Sequence, residues 1–285
     1  MAPAGTKRSR DGNLVVPASN QPVAAMDATE QPSEITSIFK AFRDELDEHY
    51  DRRERIIKTS RDITALSKKI IFTLQRLRKI SNPLPEHITK DTDAKFAQIR
   101  TLFDAVVSEM DPLNTHRYQR NISPAIEEFI EAVSFAHYLQ HQELISIEAI
   151  RAKLPAEILV TDEDYAMGLF DLTGEIMRFA VTSLSTGNMA VEGDEDGMAS
   201  GGKGGPKLTP SQAGLVSDIQ QIRSNFEAIS VPKRNDVFRD YPKKVEVMQN
   251  SVEKVERAAY GILVRGSERP AGWTPDVSTV QVESF

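Results

Sequence analysis

The chain contains no cysteine. That excludes disulfides, thiolate zinc sites, a cysteine nucleophile and iron–sulfur ligation. Aromatic residues make up only 7% of the 285 residues, with a single tryptophan. No apolar run is long enough to cross a bilayer, and no signal-peptide pattern is present. The expectation is a soluble, intracellular protein with no membrane partner. No stretch alternates apolar and polar residues at the period of a strand, and no repeat unit recurs. Positive charge is also short: the formal net charge is −7, which argues against a generally basic nucleic-acid binder. The shortage is uneven. Residues 37–80 carry twelve Lys or Arg against seven Asp or Glu, leaving the rest of the chain at about −12.

The long segments are rich in Ala, Leu, Ile, Glu, Lys and Arg, which favour helices. Residues 1–33 are rich in Pro, Ala, Gly, Asn and Gln and read as a disordered tail. Within them, Lys7-Arg8-Ser9-Arg10 is a small basic cluster that could serve nuclear import or mean nothing. Residues 34–80 hold no Pro or Gly and read as one long helix. Phe42, Ile56, Ile63, Ile70 and Leu77 fall on a seven-residue repeat, with His49 at the missing step and Leu46, Leu66 and Leu74 widening the stripe. Further helices are predicted over 91–109, 123–142, 146–153, 161–184, 209–229 and 235–264. For the third, Ser123-Pro124 is either the start or a kink in a helix that began near His116. Residues 187–206 read as a flexible loop and 269–285 as a loose tail. The fold class is therefore all-α, a bundle of six or seven helices in one domain over 34–268.

Two acidic patches are the candidate sites for chemistry. Glu127-Glu128-Phe129-Ile130-Glu131 and Asp171-Leu172-Thr173-Gly174-Glu175 both lie on predicted helices. Glu128 and Glu131 are spaced i,i+3, and Asp171 and Glu175 i,i+4, so each pair projects from one side. Like charges there cost a few tenths of a kcal/mol unless a cation offsets them. The helix bearing Glu128, Glu131 and Phe135 has Ile126, Ile130, Val133 and His137 opposite, so it can be buried nearly all round. On the 161–184 helix, Asp171, Glu175, Arg178 and Thr182 form a narrow polar stripe, which could equally be solvated with a Glu175–Arg178 pair. An all-oxygen site would suit Mg²⁺, with Mn²⁺ as the alternative. The acidic run 192–197 lacks calcium-loop spacing, and Gly201-Gly202-Lys203-Gly204-Gly205 resembles a phosphate loop only in composition.

Basic residues form two candidate contacts for nucleic acid. Arg52, Arg53, Arg55, Lys58 and Arg61 crowd three turns of the first helix, although Asp44, Glu48, Asp51 and Glu54 could pair with them. His116-Arg117-Tyr118-Gln119-Arg120 mixes cations, an imidazole and an aromatic ring. Cations neutralise phosphates, and a ring can stack on an unpaired base.

Four segments in order carry a resemblance: Ser60-Arg61-Asp62-Ile63-Thr64, Glu131-Ala132-Val133-Ser134-Phe135, Asp171 to Arg178, and Val264-Arg265-Gly266-Ser267-Glu268. Together, over roughly 36–268, they resemble the translin family, in its translin-associated factor X branch. The resemblance implies an all-α, translin-like subunit that joins translin in a closed hetero-octameric shell. It implies a Mg²⁺-dependent endoribonuclease acting on single-stranded RNA, in the cytoplasm and nucleus, in RNA interference and the clearing of tRNA-processing fragments. It places the catalytic carboxylates at Glu128, Glu131 and Asp171, with Glu175 completing the metal set. It also implies RNA contact by His116, Arg117, Tyr118 and Arg120. Two other readings remain open: a non-catalytic scaffold that partners translin, and a pure RNA-binding subunit.

Overall fold

The uninterrupted apolar periodicity of the longer segments yields helices throughout. A computed structural model of the chain describes residues 34–110, 112–186, 208–231 and 240–265. In them lie α1 (Glu34–Leu74), α2 (Glu86–Val107), α3 (Pro112–His141), α4 (Ile147–Arg151), α5 (Asp162–Thr186), α6 (Pro210–Glu227) and α7 (Tyr241–Tyr260). A π-helical stretch, Gly261–Arg265, follows α7. Among the described residues there is no strand, and no helix is long and apolar enough to cross a membrane. The tails, the 187–206 loop with its acidic and glycine runs, and the Lys7–Arg10 cluster lie outside the described residues.

The chain separates into two compact units, Met1–Glu48 and His49–Phe285. The described part of the first is the opening stretch of α1. There Ile35, Ile38, Phe39, Phe42 and Leu46 are all exposed. The Phe39 and Phe42 rings meet edge to face with centroids 6.3 Å apart.

In the second unit the seven-residue stripe of α1 becomes core: Ile56, Ile63, Ile70 and Leu74 are fully buried. The stripe thus marks burial from Ile56 onward, while Phe42 and Leu46 stand exposed. The helix stops at Leu74, earlier than the pattern alone indicates, and closes through turn bonds from Gln75 to Ile71 and Arg76 to Thr73.

α5 packs most extensively on α3 and α7, with α6 against both α5 and α7. Phe135 of α3 meets Phe179 of α5 edge to face at 6.4 Å. Phe170 of α5 stacks on Phe226 of α6 at 3.9 Å. Local signals set the starts of these helices. Thr161 and Asp164 cap α5 reciprocally: the Asp164 amide donates to Thr161 Oγ1, and the Thr161 amide to Asp164 Oδ2. Thr209 and Gln212 form a capping box on α6, with Pro210 in its first turn. α3 begins at Pro112 and runs through Pro124, so the proline lies inside the helix rather than opening it.

Candidate functional site

The acidic patches meet where α3 crosses α5. From Ala125 to Leu139, α3 is buried on nearly every side by apolar side chains, and Glu131 lies among them at 8% exposure. Glu127 and Glu128, one turn earlier, are half-buried. Gly168 of α5 sits directly on this turn. A Cβ there would lie 2.7 Å from Ile130 Cγ2 and 2.9 Å from the Glu127 carbonyl oxygen. Only glycine permits so close a crossing. Asp171, nearly one turn along α5, is thereby brought into electrostatic contact with all three glutamates.

Burial pushes the Glu131 carboxyl up to about 8, and the charges of Asp171 and Glu128 add to it. Burial likewise pushes Glu127 up to about 7, helped by Asp164, Asp171 and Glu163. Glu128 is raised by burial, against the pull of Lys68. Neither Glu127 nor Glu131 takes a hydrogen bond or ion pair from a described residue. Two lysines answer the charge. Lys244 of α7 ion-pairs with Asp171 and eases the ionisation of all three glutamates. Lys68 of α1 lies 3.7 Å from Glu128 Oε2.

Glu175, the fourth acid of the expected set, has partners of its own. Four residues along α5 from Asp171, it lies about 6 Å further on. There its carboxylate is taken by Gln75 Nε2 at 2.7 Å and by the Arg178 guanidinium. The predicted Glu175–Arg178 pair is present, but Glu175 is buried rather than solvated.

A divalent cation fits this cluster by donor chemistry. The donors are all carboxylate oxygens, as Mg²⁺ and Mn²⁺ prefer, and Glu131 is a nine-tenths-buried acid without a donor. As the side chains stand, no three His, Asp or Glu residues among those described are grouped closely enough to hold a metal ion. Lys244 supplies the counter-cation at Asp171 instead.

Neither Lys244 nor Glu127 belongs to the set expected from the sequence. Lys244 lies 73 residues from its partner. Its one local signal is a Lys243-Lys244 pair in the first turn of α7, where the helix dipole disfavours cations.

The basic segments divide differently from expectation. Arg55 grips Glu109, at the end of α2, through Nε at 2.7 Å and Nη2 at 3.1 Å, and Arg52 approaches the same carboxylate at 3.4 Å. That carboxylate lies just beyond the end of α2, 54 residues from Arg55; Arg53 pairs locally with Glu54 at 3.0 Å. Tyr118 is only 4% exposed and its hydroxyl bonds His49 Nδ1 at 2.7 Å, so its ring is not offered to a base. Its position on α3 turns it toward α1. Arg117 also reaches the His49 ring, at 3.1 Å from Nδ1. His116 and Arg120 are exposed.

Comparison with known proteins fits this geometry. The Translin family profile matches residues 51–266. Translin-associated protein X of Rattus norvegicus is 30% identical, over 99% of this chain and 95% of its own length. The homologue from Schizosaccharomyces pombe is 28% identical, over 81% and 89%. Translin of Gallus gallus is 22% identical, over 83% and 96%. The crystal structures of apo-NeC3PO and AfC3PO share the fold, with TM-scores of 0.55 and 0.53. They are 17% and 18% identical and cover 81% and 80% of this chain and 97% of theirs. By its profile match and by relatives spanning nearly its whole length, the chain belongs to the translin family.

Proposed function

We propose that this chain is the catalytic subunit of a Mg²⁺-dependent endoribonuclease that works in an oligomeric assembly with translin and cuts single-stranded RNA. One observation carries the reading: the α3–α5 crossing gathers Glu127, Glu128, Glu131 and Asp171, with Glu131 buried and unpartnered. A fold serving stability alone gains nothing from such a group, because an unpaired buried acid is costly.

Glu128, Glu131 and Asp171 would hold the cation, with Glu127 beside them. Bound there, Mg²⁺ supplies an activated water and offsets charge on the scissile phosphate. The chain's own residues do the rest. Gly168 fixes the separation of the two helices. Lys244 orients Asp171 and tempers the repulsion among the acids. With its carboxyl raised to about 8 by burial, Glu131 would hold a proton at neutral pH in the absence of a cation. The cytoplasmic and nuclear location, and the roles in RNA interference and tRNA-fragment clearance, belong to the same proposal.

The rival is a non-catalytic, RNA-binding or scaffolding subunit. It is favoured by the pairing of Asp171 and Glu128 with lysines and by the lack of a ready three-acid metal cage among the described residues. The test is cleavage of a labelled single-stranded RNA by the chain co-purified with translin, in Mg²⁺ and in EDTA. Glu128→Ala, Glu131→Ala and Asp171→Ala are compared in assembled complexes, with Mn²⁺ binding followed by titration calorimetry. Metal-dependent cleavage lost in each variant, together with weakened Mn²⁺ binding, supports the nuclease. A wild type that binds RNA but neither cuts it nor takes up Mn²⁺ supports the rival.

A further inference from the structure

Between α1 and α3 runs an open cleft of about 550 Å³. Arg61 and Lys68 line it from α1, and Arg120 from α3. Its apolar lining includes Ile57, Ala65 and Pro124. No lining side chain is acidic. Arg61 and Lys68 are seven residues apart, two turns on one face of α1 and about 10 Å along its axis.

These cations differ from those nearby. Arg52, Arg53 and Arg55 are held by Glu109 and Glu54. Among the described residues Arg61 and Arg120 make no hydrogen bond or ion pair, and both are exposed. Arg120 favours the ionised form of Glu163 by its charge alone, without a bond to it. Lys68 is loosely placed at 3.7 Å from Glu128 with its side chain 66% exposed. It therefore joins the cleft to the acidic cluster. So does α3 itself, since Pro124 in the cleft and Glu128 in the cluster are one turn apart.

We propose that this cleft is the track along which single-stranded RNA lies as it approaches the acidic cluster, its phosphates met by Arg61, Lys68 and Arg120 and its bases by the apolar floor. The proposal rests on the nuclease reading. Uncommitted cations are what a polyanion needs, because each neutralised phosphate releases condensed counterions. An apolar floor accepts bases of any identity, so the track selects for single strands rather than for sequence. Continuity with the acids favours a phosphodiester chain over an acidic peptide, which would gain nothing from ending there.

The experiment is fluorescence anisotropy of a labelled single-stranded oligoribonucleotide with the full chain assembled with translin. It is run in EDTA across a salt series. Arg61→Ala and Arg120→Ala are expected to weaken binding roughly tenfold each at low salt, as loss of a charged hydrogen bond does. Each should lower the slope of log affinity against log salt by about 0.7, the value for one phosphate contact on a single strand. Arg61→Lys and Arg120→Lys should retain most of the binding and the slope. An Arg61→Ala/Arg120→Ala double variant with unchanged affinity and slope overturns the proposal. So does a wild type that fails to bind the RNA. Displacement of RNA by polyglutamate at equal charge would reassign the cleft to an acidic protein segment and overturn it as well. The two readings fail separately. A complex that binds through these arginines but does not cut in Mg²⁺ sinks the nuclease alone. One that cuts but ignores both substitutions sinks the track alone.

Discussion

Burial of the Glu131 carboxyl couples the stability of the fold to pH. In the folded chain its carboxyl is pushed up to about 8, against an ordinary value of 4.5. Between those values the folded state holds a proton that the unfolded chain has released. Stability therefore falls as pH rises through that window. Glu131→Gln removes the ionisation but keeps the shape. Without metal, its melting temperature is expected to match the wild type near pH 4 and exceed it at pH 8.5, while RNA cleavage is lost. Differential scanning fluorimetry in EDTA across pH reads this directly, and equal melting curves at pH 8.5 would count against a raised Glu131. Lys244→Gln should act in the opposite sense. It strips Asp171 of its partner and leaves the glutamates more repulsive, so melting should drop, most strongly at high pH where the acids are ionised. Neither residue's situation was legible locally. Spacing placed Glu128 and Glu131 on one helix side, but burial of Glu131 and the arrival of Lys244 depend on α5 and α7.

At the scale of elements, two glycines of α5 do different work. Gly168 touches α3 backbone, so Gly168→Ala must push the helices apart. Overpacking of that kind costs about 1–3 kcal/mol, and here it would also shift Asp171 from the glutamates. Gly174 has nothing within 4 Å of where a Cβ would stand. Gly174→Ala should therefore stabilise the helix by about 0.5–1 kcal/mol, although it sits inside the Asp171–Glu175 motif. Urea unfolding of both variants checks the pair, and equal effects would refute the assigned crossing. Element boundaries were partly legible. The caps at Thr161 and Thr209 are local chemistry, and those starts agree with the sequence. The Pro112 start of α3 is not local. A proline inside a helix costs about 3 kcal/mol, and here Ile122, Ala125 and Ile126 bury the turns around Pro124 and offset it.

At the scale of the whole molecule, several large apolar side chains remain uncovered. Phe72, Leu113, Tyr260 and Leu263 are exposed in the larger unit, and Ile35, Phe39, Phe42 and Leu46 in the smaller. Exposed apolar surface beyond scattered single residues marks association sites. Expressed alone, the chain is expected to self-associate or aggregate, and to become monodisperse when co-expressed with translin. Size exclusion with light scattering decides it; a stable monomer would show that these side chains need no partner.

By itself the sequence determined the helices, their approximate order, the all-α class and the residues able to carry charge at a site. These follow from local propensity and from periodicity along one chain, which act over a few turns. Tertiary structure alone decided which charges meet. It drew Glu127 into the acidic cluster and paired Glu175 with Gln75 and Arg178. It buried Tyr118, tied Arg52 and Arg55 to Glu109, and left Arg61 and Arg120 beside an open cleft. The physical reason is range: electrostatic and packing partners are set by helix crossings between residues 45 to 100 positions apart, and no local pattern encodes a crossing.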